Sequence, residues 1–340
     1  MRRKLFPAKG LAVLALLVCI FAQQALALES FSIVVLPDTQ RYSEYHPEIF
    51  TAQTRWIVQN RERLNIVFVS HEGDIVDNWD SEEQWKNASE SLSLLDGVVP
   101  YGVLPGNHDL GGSGSRDFFN QYFPPARFSH FPWYGGSFPP GKNNNSYQLF
   151  SASGIDFLAL HLGFCPSDET ISWANLVLKA NPGRMAMITT HGYLNEKGER
   201  RIYGCEERDG NMEYLWGELI YPNPNVFLVL CGHIHSETAR ADPNIEGKDV
   251  FQLLADYQDE ENGGNGFLRI LTFSPEEKRV FVKTYSPYLD SFKTGGKSSL
   301  VLELELPEKP KEFNVLLFAG LALGLILFLA AGCRILRARK

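Results

Sequence analysis

The chain of 340 residues is poor in cysteine, has no basic run away from its two ends, and contains neither an internal repeat nor a low-complexity tract. Each shortage excludes something. Only three of the five cysteines, Cys165, Cys205 and Cys231, fall between the terminal segments, too few for more than one disulfide among them. A formal charge of −8 without a basic stretch argues against a broad phosphate-backbone footprint, so no nucleic-acid partner is expected. A small phosphate ester stays open, because a bound metal ion brings positive charge that no side-chain count records. The lack of repeats leaves an ordinary globular class, and 44% apolar content is enough to bury a core.

The ends carry hydrophobic segments of their own. Arg2, Arg3 and Lys4 precede the apolar run 11–22, and Ala25-Leu26-Ala27 supplies the small residues of a cleavage site, so residues 1–27 are expected to be an export signal, with an uncleaved anchor as the alternative. Residues 315–331 are almost uninterruptedly apolar, bracketed by Lys309 and Lys311 before and by Arg334, Arg337, Arg339 and Lys340 after. That length suits one membrane-spanning helix, and the basic tail places residues 334–340 in the cytoplasm. The expected organisation is therefore signal 1–27, catalytic domain 28–306, linker 307–314, transmembrane helix 315–333 and cytoplasmic tail 334–340. The bulk of the protein would stand in an extracellular, periplasmic or lumenal space, tethered to the membrane by that helix. An oxidising compartment permits one disulfide, expected between Cys165 and Cys205, because Cys231 sits inside the apolar run NVFLVLCG and reads as buried.

Between the two ends, strand-like runs at 31–36, 65–70, 100–104, 155–160, 185–190 and 226–230 are interleaved with amphipathic helical patterns at 49–64 and 81–95, as in an α/β domain. Runs at 250–255, 267–273, 279–285 and 300–306 look more like an antiparallel set. From Gly111 to Tyr147 periodicity is lost among glycines, prolines and aromatics, a long loop of the kind that is usually functional. Its aromatics either pack the loop down or face a substrate.

Five short stretches end apolar runs: PDTQ at 37–40, GDIVDN at 73–78, GNHD at 106–109, TTH at 189–191 and GHIH at 232–235. Singly, each is an ordinary turn. Ligands in open α/β sheets collect beyond the carboxyl ends of strands, where such loops meet. The convergent set is Asp38, Gln40, Asp74, Asn107, His191, His233 and His235. Oxygen and imidazole donors without thiolate suit Mn²⁺, Fe²⁺ or Zn²⁺, and seven donors fit two ions sharing a bridge. Two histidines and one loop stay outside this set or beside it: His161 reads as a core residue, His71 as a neighbour of the metal residues, and the loop Asp256-Tyr257-Gln258 either borders the cleft or is a plain turn.

In order and spacing these motifs resemble the calcineurin-like metallophosphoesterases, whose pattern is D-x-H, G-D-x-x-D, G-N-H-D or E, a lone His, then G-H-x-H. The resemblance spans residues 33–236, and it implies a four-layer αββα sandwich of two mixed β-sheets. It also implies a first metal held by Asp38, Gln40, Asp74 and His235, a bridging role for Asp74, and a second metal held by Asn107, His191 and His233. His108 would face the substrate, oriented by Asp77, and protonate the leaving alkoxide while a hydroxide shared by the two cations attacks phosphorus. Two departures stand out. Gln40 replaces a histidine, which either weakens the first site and leans it toward Mn²⁺ or leaves it to fill only when substrate arrives, and Asn78 replaces an arginine found in protein phosphatases, removing a bidentate phosphate clamp. The expected activity is hydrolysis of phosphomonoesters or phosphodiesters. The alternatives are a pyrophosphatase or nucleotidase of the same fold, and a weakened member that only binds a phosphorylated ligand or a partner protein.

Overall fold

The computed structural model describes residues 29–306 except 113 and 305. The expected signal, linker, transmembrane helix and basic tail lie outside the described residues. Among the described residues no helix is long and apolar enough to cross a membrane. In chain order the strands are Phe31–Leu36 (β1), Ile66–His71 (β2), Tyr101–Gly102 (β3), Tyr134–Phe138 (β4), Asn145–Ala152 (β5), Ile155–Leu162 (β6), Met185–Thr190 (β7), Val226–Cys231 (β8), Glu237–Pro243 (β9), Asp249–Ala255 (β10), Leu268–Ser274 (β11), Arg279–Ser286 (β12), Ser291–Phe292 (β13) and Ser299–Glu303 (β14). One sheet runs β13-β12-β11-β1-β2-β3 with β14 also on β12, and the other runs β4-β5-β6-β7-β8-β10-β9. Both are mixed: β1, β2 and β3 are parallel, as are β6, β7, β8 and β10, while the remaining pairs are antiparallel.

The period of two in a strand explains why two sheets stack. In β1, Ile33 and Val35 point inward with Phe68, Leu271 and Phe273 against Phe157, Met187, Leu228 and Leu253 of the second sheet. The alternate residues Val34 and Leu36 point outward to Phe50 and Ile57 of helix α1 (Pro47–Asn60) and to Trp85 and Leu92 of helix α2 (Glu82–Ser93). On the far side Leu158, Leu160 and Ile188 pack against Ile171, Ala174 and Leu178 of helix α3 (Asp168–Ala180). Helix, sheet, sheet and helix layers result, as the motifs imply. Helix α2 is capped by Ser81, whose side chain accepts from Gln84 N, while Gln84 Oε1 accepts the main-chain N–H groups of Asp77 and Asn78 at 2.9 Å each. The helix start thereby fixes the GDIVDN loop.

Residues 111–147 are less irregular than their composition suggests. Phe118, Phe119, Phe123 and Phe128 are buried in the core that helix α2 shares with the first sheet, Phe119 and Phe123 against Trp85 and Phe128 against Tyr101 of β3, and β4 adds an edge strand to the second. Most of these aromatics therefore pack the segment down, and its polar residues are left to face outward. His161 lies between the sheets, hydrogen-bonded through Nε2 to Ser70 Oγ at 3.0 Å, and burial lowers its pKa to about 3. Gly102 makes room for it, since a Cβ there would stand 2.1 Å from the imidazole.

Candidate metal centre

Parallel strands end on one side of the domain, and the site is built on those ends. Asp38 follows β1, Asp74 follows β2, Asn107 follows β3, His191 follows β7, His233 follows β8 and Asp256 follows β10. Main-chain bonds stitch the loops together: Thr39 N to Asp74 O at 3.1 Å and Gly232 N to His191 O at 2.9 Å. Asp74 (φ 46°) and His233 (φ 70°) sit in the left-handed region, a conformation that side chains adopt only when the surroundings enforce it. Gly106 approaches so closely that a Cβ would lie 2.1 Å from Asp74 Oδ1, and at Gly232 a Cβ would lie 2.4 Å from Asp38 Oδ1. Glycine is required at both because the carboxylates occupy the space.

Ligand atoms of Asp74, His191 and His233 all lie within 4.8 Å of one another, and the three residues are buried. His191 Nδ1 is 2.9 Å from the carbonyl oxygen of Glu72, which can only accept, so Nδ1 carries the hydrogen. Its Nε2 then presents a lone pair 3.1 Å from Asp74 Oδ2 and 3.1 Å from Asn107 Oδ1. Three lone-pair atoms meet there, and only a proton or a cation can join them. Burial acts to lower the pKa of His191, but the Asp74 carboxylate, with the Glu72 carbonyl and Asp109, prevails and raises it. Burial acts to raise Asp74, yet the His191 imidazole prevails and holds its carboxyl below the usual range. His233 is fixed by the same device with the nitrogens exchanged: Nε2 donates to Tyr203 O at 2.9 Å, freeing Nδ1. Its pKa falls to about 4 through burial and the neighbouring His191.

The remaining expected ligands, Asp38, Gln40 and His235, meet around Gln258 and Asp256. Asp38 Oδ2 accepts from His233 N and from Gln258 Nε2, each at 3.3 Å, while Oδ1 is buried without a hydrogen-bond partner, 3.8 Å from His191 Nδ1. Burial, reinforced by Asp256 and Asp74, pushes its carboxyl well above the ordinary value. Gln40 is buried; its Nε2 donates to Gln258 Oε1 and its Oε1 has no partner. His235 is at the rim, with Nδ1 2.7 Å from Asp259 Oδ2 and Nε2 3.9 Å from Asp256 Oδ2. Orphaned buried oxygens among lone-pair donors fit a divalent cation, because unsatisfied acceptors are costly and a cation satisfies several at once.

His108 projects into the opening, its side chain 40% exposed. Its Nδ1 is 2.8 Å from the main-chain oxygen of Asp77 and 3.8 Å from that residue's Oδ1, so Asp77 orients it through the backbone rather than the carboxylate. The carboxylate is occupied by Arg41 at 3.1 Å. Behind these residues lie groups whose role the motifs alone do not reveal. Asp109 accepts from Ile75 N, Val76 N and Gly106 N at 2.8 to 3.0 Å, clamping two motif loops together. His71 is buried, hydrogen-bonded to Thr39 Oγ1 at 2.9 Å, and its Nδ1 accepts from Gly73 N. It ties PDTQ to GDIVDN.

Two aromatic side chains flank the histidines: Phe164 packs 5.1 Å from the His233 ring and Tyr203 packs 4.7 Å from it. Cys165 and Cys205, next to each, are bridged as the sequence suggests, and Cys231 is a buried thiol. The bridge closes a loop with a separation of 40 residues, for which chain entropy gives about 4 kcal/mol of stabilisation. Cys165→Ser is expected to lower the thermal midpoint by roughly 5–15 °C, read by calorimetry. Beside Phe164 opens a cavity of about 310 Å³, lined among others by Leu110, Asp117, Lys142, Asn144, Phe164 and Ser167. Phe164 belongs to both the cavity lining and the histidine pair, its ring 5.6 Å from that of His191 and 5.1 Å from that of His233.

A family model described as calcineurin-like phosphoesterase matches residues 31–237. The uncharacterized protein YvnB of Bacillus subtilis (strain 168) is 42% identical over 301 residues, covering 84% of this chain and 22% of its own length, so the chain spans about a fifth of that relative. Among solved structures, purple acid phosphatase PPD1 from yellow lupin (Lupinus luteus) seeds superposes with a TM-score of 0.52 at 15% identity, covering 80% of this chain and 53% of that one, a likeness of fold.

Proposed function

We propose, for a chain that belongs to the calcineurin-like phosphoesterase family and is a metal-dependent phosphoester hydrolase, that two divalent cations are held on either side of Asp74 and that small phosphate esters are the substrates. Asp38, Gln40, Asp74 and His235 form the first position, Asn107, His191 and His233 the second, with manganese the favoured ion. One observation carries the reading: His191 has committed Nδ1 to a carbonyl and turned Nε2 toward Asp74 Oδ2 and Asn107 Oδ1, 3.1 Å from each. Two cations bound there would neutralise phosphoryl oxygens and lower the pKa of water.

The chain's own residues supply the rest. His108, with Nδ1–H fixed on Asp77 O, directs Nε2 to the opening, and as the imidazolium it gives the Nε2 proton to the departing ester oxygen and is left as the neutral ring. The organic group of the substrate lies in the cavity beside Phe164, where apolar Leu110 and Phe164 face the polar Asn144, Ser167 and the ion pair of Lys142 with Asp117. A tethered, extracytoplasmic location is supported by the apolar segment 315–331, the apolar run 11–22 and the Cys165–Cys205 bridge. The test is turnover of mono- and bis-nitrophenyl phosphate by the purified protein with added Mn²⁺, together with elemental analysis. Hydrolysis with bound metal is expected. No turnover and no metal would instead favour a protein that only binds its ligand.

A further inference from the structure

Asp256 has no counterpart in the five motifs, yet it follows β10 directly at the end of a parallel strand, as Asp38, Asp74, His191 and His233 follow theirs. Its side chain is 3% exposed. Oδ2 is 3.9 Å from His235 Nε2 and accepts a 3.0 Å hydrogen bond from Gln258 Nε2, the same nitrogen that donates to Asp38 Oδ2. Oδ1 accepts from Gln258 N at 3.0 Å. Gln258 Oε1 takes the amide of Gln40, so a single glutamine joins residue 40 to both carboxylates. Within this cluster Asp38 Oδ1 and Gln40 Oε1 are buried and unpartnered, in side chains of 3% and 2% exposure. Two adjacent buried carboxylates repel one another, and orphaned acceptors are left beside them. A cation at this spot removes both penalties.

We infer that Asp256 is an additional ligand of the first metal position, held by Gln258 as a positioning residue, and that it supplies the donor lost when residue 40 is an amide. The inference rests on the two-cation reading above. The first position then has carboxylates from Asp38, Asp74 and Asp256, the Gln40 amide and a single imidazole, His235, whereas the second has two imidazoles. Oxygen donors suit hard ions and imidazole suits softer ones, so the first position takes Mg²⁺ or Mn²⁺ in preference to Zn²⁺, and the second accepts Zn²⁺. Three ligating carboxylates against two divalent cations leave one net positive charge, which still attracts a phosphate.

The experiment is metal titration of the chelator-treated protein with Mn²⁺ and with Zn²⁺, read by elemental analysis and by the Mn²⁺ electron paramagnetic resonance spectrum rather than by activity. The expected result is two Mn²⁺ per wild-type chain. Asp256→Asn, isosteric and able to keep the bond from Gln258 N, should weaken one Mn²⁺ at least tenfold and leave the other unchanged. Gln40→His in the Asp256→Asn background should recover that site and shift its preference toward Zn²⁺, which also shows the variant to be folded. Two Mn²⁺ of unchanged affinity in Asp256→Asn would overturn the assignment alone. No metal bound by the wild type would overturn it together with the two-cation reading.

Discussion

Asp74→Asn is expected to reduce phosphoester turnover at least about a thousandfold, equivalent to some 4 kcal/mol of transition-state stabilisation. The substitution is close to isosteric, and an asparagine Oδ1 can still accept the 2.9 Å hydrogen bond from His108 N. What it removes is charge. Asp74 is the carboxylate between the two proposed positions, 3.1 Å from His191 Nε2, and it is fixed by a left-handed backbone and by the missing Cβ of Gly106. Steady-state rates and metal content should fall together, with the thermal midpoint changing little. A variant that keeps full metal and loses its rate would show that Asp74 acts on the substrate rather than through the ions.

His108→Ala should lower kcat for alkyl phosphates by about a hundredfold or more, the usual worth of a positioned proton donor, and should lower it far less for nitrophenyl esters. A nitrophenolate leaves without protonation, whereas an alkoxide does not. The 40% exposure of the His108 side chain and the 2.8 Å contact of Nδ1 with Asp77 O leave Nε2 directed to the opening and define the atom that donates. Comparing kcat across leaving groups of graded pKa gives a steeper dependence in the variant. Equal losses on all esters would remove the proton-donor role. Because the contact runs through a main-chain oxygen, changing the Asp77 side chain should affect the reaction mainly by releasing Arg41, which pairs with that carboxylate.

Much of the site was legible because short motifs encode backbone geometry. A loop that turns at the end of a parallel strand needs small or special residues beside its ligand, so Gly73-Asp74, Gly106-Asn107 and Gly232-His233 announce themselves within a few positions. The alternation of Ile33 and Val35 with Val34 and Leu36 likewise gives away a strand buried on both faces. The cysteine bridge followed from excluding the thiol in an apolar run.

Other features depend on partners distant in the chain. Gln40 could be seen as a departure, but its amide meets Gln258 across 218 residues, and no local pattern links the two. Asp256 stood at a strand end like its neighbours, yet without a glycine motif it was indistinguishable from a turn until β10 was placed beside β8. The aromatics of 111–147 could have served packing or substrate; the core around helix α2 and β3 absorbed most of them, because a hydrophobic face of strands and helices must be covered. The sequence by itself determined the candidate residues at the strand ends, since their spacing is a property of neighbouring residues. Only the tertiary structure decided which nitrogen of each histidine faces the centre, which oxygens are left unpartnered, and that Asp256 and Gln258 stand against Gln40, since those outcomes depend on which remote carbonyl or carboxylate the folded sheets bring within hydrogen-bond distance.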